Sequence, residues 1–315
     1  MHAVLKPETR ATTPPPREVP LHGVRHTLLL IGFSAAGGLL LAVMWSPGFV
    51  DQTLGENGAT TILGYSVTLT PITSALMGIG FAFVSGFTGT FTACNVAGLA
   101  AIAPLSADRR PSLGSALRSL GWVAQGASVV AGLYGAIGAL IGPSIPQLSS
   151  AVLGKFPVRL IQSMAVFGLI GVTLVIMGLT ATGLMTNPLA RITQRRPAIR
   201  LVLIGGLIGA FLIGRPFPLF IKMFTYAAST HNPAFGALSF VLQSLGNIVV
   251  MSLLFLVITL VAGGRLRQWL AARPDRLGRF NAIALMTAGV FLVAYWCIRL
   301  PAYFGIGWWP RMPWS

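Results

Sequence analysis

The chain has 315 residues, of which 54% are hydrophobic and only 9% charged, and its mean hydropathy is +0.78. So few charges cannot cover a soluble core of this length, so a large soluble domain is excluded and membrane spans are expected. The formal net charge of +16 falls mostly between apolar runs and without interleaved stacking aromatics, which makes it a topology signal and argues against nucleic-acid binding.

In chain order, residues 1–26 are polar and Pro-rich, with TTPPP at 12–16, and read as a disordered cytoplasmic tail. The apolar run at 27–46 follows with no small-residue cleavage site, so it is expected to be a retained N-terminal transmembrane helix. Six further segments, at about 71–104, 117–142, 160–183, 201–228, 235–262 and 281–304, meet the length of about 20 residues needed to cross the hydrocarbon. The expected fold is therefore an all-α integral membrane protein of about seven transmembrane helices. Residues 305–315, with Trp308, Trp309 and Trp314, suit an outer interfacial tail.

Charge fixes the expected orientation. Basic residues concentrate in the tail (Lys6, Arg10, Arg17, Arg25), at Arg109 and Arg110, at Arg191–Arg200 and at Arg265–Arg279. The alternate connections carry few or none, and 47–70 has Asp51 and Glu56 instead. The positive-inside rule then places the N-terminus in the cytoplasm and the C-terminus outside.

Two segments look interrupted. The run 71–104 would be roughly 50 Å long as straight helix, against a hydrocarbon core of about 30 Å; it contains Gly86 and Gly89 and ends at Pro104. The run GGLIGAFLIGRPFPLFIKMF (Gly205–Phe224) carries Gly214, Pro216 and Pro218. Broken helices opening corresponding halves, one running inward and one outward, predict a 3+3 inverted repeat with broken helices 2 and 5.

Candidate chemistry is sparse. Cys94 sits among small and hydroxyl residues, with Thr92 and Asn95 beside it; it reads either as a thiol in a small cavity or as a close-packed buried residue. Cys297 reads as a buried core residue, and a bond between the two needs a distance that spacing does not give. Arg215 falls near the middle of the fifth segment, with Lys222 two helical turns further on one face. Arg299 lies near the outer end of the seventh. No Asp or Glu falls within a span, so a central Arg215 needs carbonyls, water or an anionic ligand such as a carboxylate, phosphate, quinone oxygen or haem propionate. Lys222 and Arg299 are expected to snorkel outward. His231 and Asn232 lie in a THNP turn. No metal-ligand spacing exists, no cofactor is required, and GLYGAIGA (Gly132–Ala139) offers a small-residue face for packing on neighbouring helices.

At Gly86–Pro104 and Gly205–Leu245 the chain resembles the CcdA/DsbD transmembrane superfamily of thiol–disulfide carriers in cytochrome c biogenesis and periplasmic reduction. That resemblance covers about 71–304 and implies a six-helix core in two inverted halves, each opening with a broken helix that bears a Pro-Cys element. Here Ala93-Cys94 stands at the first element and Pro216-Phe217, followed by Pro218, at the second. With Phe217 in place of the second cysteine, the family's intramolecular disulfide cannot form. The GTFTACN tract, the added first span and the length are similar to the methylamine-utilisation branch. That similarity implies a bacterial inner-membrane factor for maturation of a periplasmic redox enzyme, of the methylamine dehydrogenase or c-type cytochrome class. Its partner would be that enzyme or a thioredoxin-like protein, with Cys94 as the carrier thiol. The alternatives are a transporter of a small anionic or thiol compound, using Arg215, and a structural subunit of a larger membrane redox complex.

Overall fold

The computed structural model describes residues 24–91, 113–186, 197–261 and 274–313. Helix α1 is Val24–Met44. A wide π-helical turn, Phe49–Glu56, and the short helix α2, Asn57–Leu63, form most of the connection to α3, Ala75–Thr88. Then come α4, Leu113–Ile141, and α5, Val158–Ala181, with a two-residue hairpin between them. Helix α6, Pro197–Ala210, tightens into a 3-10 turn at Phe211–Gly214. Helix α7 is Pro218–Ser229, α8 is Pro233–Val261 and α9 is Pro274–Val293; the last continues through a π-helical turn, Ala294–Arg299, into α10, Leu300–Tyr303.

The protein is a mostly helical, multi-pass membrane protein. Among the described residues, five helices are long and apolar enough to cross a membrane, and the pair α6/α7 makes a sixth if its two arms form one span. The apolar helix Ala75–Phe91 is shorter. Leu133, Ile137 and Leu140 form an exposed apolar stripe along α4, which is the lipid-facing pattern of a span.

The predicted interruption of the fifth segment is present and larger than a kink. The axes of α6 and α7 meet at 84°. Pro216 and Pro218 remove two backbone donors, and Pro218 starts α7 at its first position, where the missing N–H is no loss. The second segment is helical to Thr88 and turns into a 3-10 piece at Gly89–Phe91; Thr92, Cys94, Asn95 and Pro104 lie outside the described residues.

Close packing follows a reciprocal glycine pattern. Helix α3 packs on α8, α4 on α6, α4 on α8, and α5 on α9. A Cβ at Gly86 would stand 2.1 Å from Gln243 O, and one at Gly246 would stand 2.4 Å from Phe83 O. At the other crossing, Gly126 faces Val202 O at 2.0 Å and Gly205 faces Val123 O at 2.0 Å. In both crossings each glycine meets the carbonyl three residues before its partner glycine. The α5–α9 contact is symmetric in the same way, Gly171 against Gly289 O and Gly289 against Gly171 O. Backbone contact this close is how helices associate where lipid removes the hydrophobic drive between them.

The face Gly132–Ala139 packs on neighbouring helices of the same chain: Gly132 meets Val241, Gly135 meets Gly236 O and Gly138 meets the Phe224 ring. It is taken up inside the chain by α7 and α8. Its small residues admit the aromatic cluster of Phe220, Phe224 and Phe240, in which Phe240 stands edge to face with the other two and Phe220 is tilted on Phe224, with centroids 4.7–5.9 Å apart.

Candidate functional site: a cavity with two buried arginines

The site is built at the bend between α6 and α7. A turn from 3-10 helix to an 84° corner leaves carbonyls without helical partners, and in an apolar interior each needs a donor. Three polar side chains from α4, α5 and their connection supply them. Gln147 Nε2 donates to Leu212 O at 3.1 Å and Arg215 O at 2.9 Å. Gln162 Nε2 donates to Ile213 O and to Tyr134 Oη, and Tyr134 Oη donates to Gln147 Oε1. The three side chains thus form one connected network, with Gln162 Oε1 left without a partner, and it fixes the direction in which Arg215 leaves the chain.

Arg215 is 0% exposed. Its Nη2 donates to Gly89 O at 2.6 Å and its Nη1 to Asn247 Oδ1 at 3.4 Å, and its guanidinium lies 5.0 Å from the Phe217 ring centre. Gly89 is required there: a Cβ would come within 2.2 Å of Nη2. Gly86 and Gly89 of the second segment therefore serve this arginine. Gly86 lets α8 approach so that Asn247 reaches it, and Gly89 gives it a bare carbonyl. Gly214 packs against Val166 and Ser163 of α5.

Arg299 is the second cation, and it does not snorkel. It is 1% exposed. Its Nη1 donates to Ala42 O at 2.6 Å and Trp45 O at 2.8 Å, closing the end of α1, and Nη2 donates to Tyr303 Oη at 3.3 Å. Burial wins over snorkelling because α1 offers free C-terminal carbonyls, which attract a cation.

Lys222 is not part of this site. The 84° bend takes it off the face it was expected to share with Arg215, and its Nζ donates to Val67 O, to Thr68 O at 3.3 Å and to Thr70 O at 2.6 Å. It ties down the segment before α3.

Arg215 and Arg299 line one cavity of about 240 Å³, together with Pro216, Phe217, Trp45, Tyr295, Trp296, Tyr303 and Asp51. Asp51 enters from the wide turn Phe49–Glu56. Its carboxyl is pushed up to about 6, mainly by burial, against the pull of Arg215 and with a small push from Glu56. Trp296 is 6% exposed, stacked on Phe167 at 4.6 Å, and its indole N–H has no hydrogen-bond partner in the structure. A buried donor left without an acceptor costs about 1–3 kcal/mol.

No family model, curated protein or solved structure matches the chain. The cavity's chemistry therefore rests on its own residues. It has two buried positive charges, one carboxyl, aromatic walls and one open donor. Among the described residues no group of His, Cys, Asp or Glu is placed to hold a metal ion.

The remaining candidates resolve simply. Cys297 is exposed, not buried as expected, with its thiol 3.6 Å from Met164 O above Gly168; its proposed partner Cys94 is outside the described residues. His231 has a left-handed backbone (φ 49°) in the turn, and Asn232 caps α8 by accepting from Ala234 N–H and Phe235 N–H.

Sequence reading missed Asp51, Trp296, Gln147, Gln162 and Tyr134. For the two glutamines a signal existed, since an isolated Gln beside or within an apolar run needs a polar partner. Asp51 gave none, being an ordinary loop acid far from Arg215 in sequence.

Proposed function

We propose that the protein is a bacterial inner-membrane carrier in which two inverted three-helix halves hold a small organic anion at the outer end of the bundle. One observation carries this reading: two guanidiniums, each buried to within 1% of complete, border the same cavity. A charge inside the bilayer costs at least about 2.5–3.5 kcal/mol. Carbonyl bonds offset part of that cost, and an anionic ligand between the two guanidiniums offsets more of it.

The glycine crossings support the inverted-repeat part. Exchanging α3 with α6, α4 with α8 and α5 with α9 turns the first crossing into the second and leaves the α5–α9 contact in place. The equivalent glycines are Gly86 and Gly205, Gly126 and Gly246, Gly171 and Gly289, spaced 119, 120 and 118 residues apart. On the positive-inside rule the N-terminus is cytoplasmic, the chain crosses about seven times, and the cavity faces outward. Purified protein in liposomes should accumulate a labelled small carboxylate, and Arg215→Ala should abolish uptake. Equal uptake by the variant would overturn the reading.

A second reading is favoured by the CcdA/DsbD-like motifs and by the same exchangeable halves. In it the chain is a maturation factor for a periplasmic redox enzyme of the methylamine dehydrogenase or c-type cytochrome class. Cys94 would form a mixed disulfide with the client or a thioredoxin-like partner. Trapping that disulfide in a strain producing the client supports it, and normal maturation with Cys94→Ser sinks it.

A further inference from the structure

The cavity's contents specify more than an anion. Resting on the carrier reading above, we infer that the ligand is a monocarboxylate on a flat aromatic or conjugated body, and that it binds together with one proton held by Asp51.

The size and walls set the body. A cavity of roughly 150 Å³ lined by apolar side chains holds benzene, so about 240 Å³ admits one ring with a carboxylate and little more. Trp45, Phe217, Tyr295, Trp296 and Tyr303 form the walls, a composition that favours a planar π-face. The Trp296 N–H, buried and without an acceptor, gives the carboxylate a donor that no protein group uses.

The proton follows from charge. With Asp51 ionised, the cavity holds two positive charges and one negative. A ligand carboxylate then shares the two guanidiniums with Asp51, and its like charge, with the water it displaces from around Asp51, raises the proton affinity of that carboxyl. The ligand is held by the arginines and Trp296, so Asp51 takes the proton, from water on the open side.

Among the described residues no other group competes for it. The elements packed against the turn Phe49–Glu56 are α2, α3, the turn Gly89–Phe91 and α7. Helices α2 and α3 and that turn carry no titratable side chain. On α7, Lys222 is held by the carbonyls of 67–70, and Tyr226 packs on Phe235. Across the cavity stand Arg215, Arg299, Tyr295 and Tyr303. Glu56 lies on Asp51's own turn.

The test uses the full chain in lipid nanodiscs with 4-nitrobenzoate, a quencher of tryptophan fluorescence that is ionised throughout pH 5–8. Trp45 and Trp296 in the wall report binding. Wild-type affinity should be highest near pH 5–6 and weaken by about tenfold per pH unit above that. Asp51→Asn should keep the tight affinity to pH 8, within about twofold. Trp296→Phe, which keeps the stack on Phe167 but removes the N–H, should weaken binding about tenfold. Wild-type binding that is flat with pH overturns the proton coupling and leaves the anion site standing. Unchanged affinity in Trp296→Phe overturns the placement of the carboxylate. Absence of quenching at every pH overturns the ligand class; if wild type also fails to take up labelled carboxylates into liposomes, the carrier reading falls with it.

Discussion

Replacing Gln147 with Leu keeps the side-chain bulk but removes the donor to the corner between α6 and α7. Leu212 O retains the 3.4 Å bond from Arg215 N–H, while Arg215 O loses its 2.9 Å bond from Gln147. Tyr134 Oη retains Ile213 O at 3.5 Å. One buried carbonyl is thus stripped of its amide donor and a second is left with a weak one. A stripped buried acceptor costs about 1–3 kcal/mol, and hydrogen bonds between membrane helices average about 0.6 kcal/mol. Together these give an expected loss of about 2 kcal/mol. At about 2–4 °C per kcal/mol for large chains, the thermal midpoint in nanodiscs, read by tryptophan fluorescence, should drop by roughly 4–8 °C. Quenching by 4-nitrobenzoate should weaken in the same variant, because the corner aims Arg215 at the cavity. A midpoint within about 1 °C of wild type, with unchanged quenching, would refute the claim that this network holds the bend.

Four further outcomes follow from other parts of the structure. Gly86→Ala and Gly205→Ala each force a Cβ to about 2 Å from a carbonyl, so both should lose expression of folded protein to a similar degree. Gly80→Ala, exposed on α3 with nothing within 4 Å, should gain up to about 1 kcal/mol of helix stability. Lys222→Met removes the donor to three carbonyls of 67–70 and should speed hydrogen exchange in that segment while leaving 4-nitrobenzoate affinity unchanged; a changed affinity would place Lys222 in the site after all. Asp51 has a folded-state value raised from 3.8 to about 6, so the fold holds its proton more tightly than the unfolded chain. Ligand-free stability should therefore fall as pH rises from about 4 through about 6 and level off above, and Asp51→Asn should remove that slope.

The spans and the break were legible because both are local. Apolar length marks α1, α4, α5, α8 and α9, and Pro216 with Pro218 marks the corner. Arg215 stood out because a lone cation in an apolar run always demands a partner. What stayed hidden depends on where chains cross. The reading of Lys222 assumed a straight helix, which the 84° bend removes. Arg299 looked like an interfacial cation because nothing in its own segment shows that the end of α1 lies beside it. Asp51 became part of the site only when the wide turn Phe49–Glu56 brought it to Arg215. Cys94, the residue the family resemblance points to most directly, lies outside the described residues.

The bond from Arg299 to Ala42 O and Trp45 O changes what a minimal version of this protein would be. Cutting the chain before α3 would also delete the acceptors of a guanidinium that is 1% exposed. That variant would expose a naked charge to lipid at the edge of its own pocket. Helix α1 is thus welded to the end of the span that begins with α9. Any natural shortening or domain graft that discards it must change position 299 in the same step, and a shortened chain carrying Arg299→Leu should fold where the plain truncation does not.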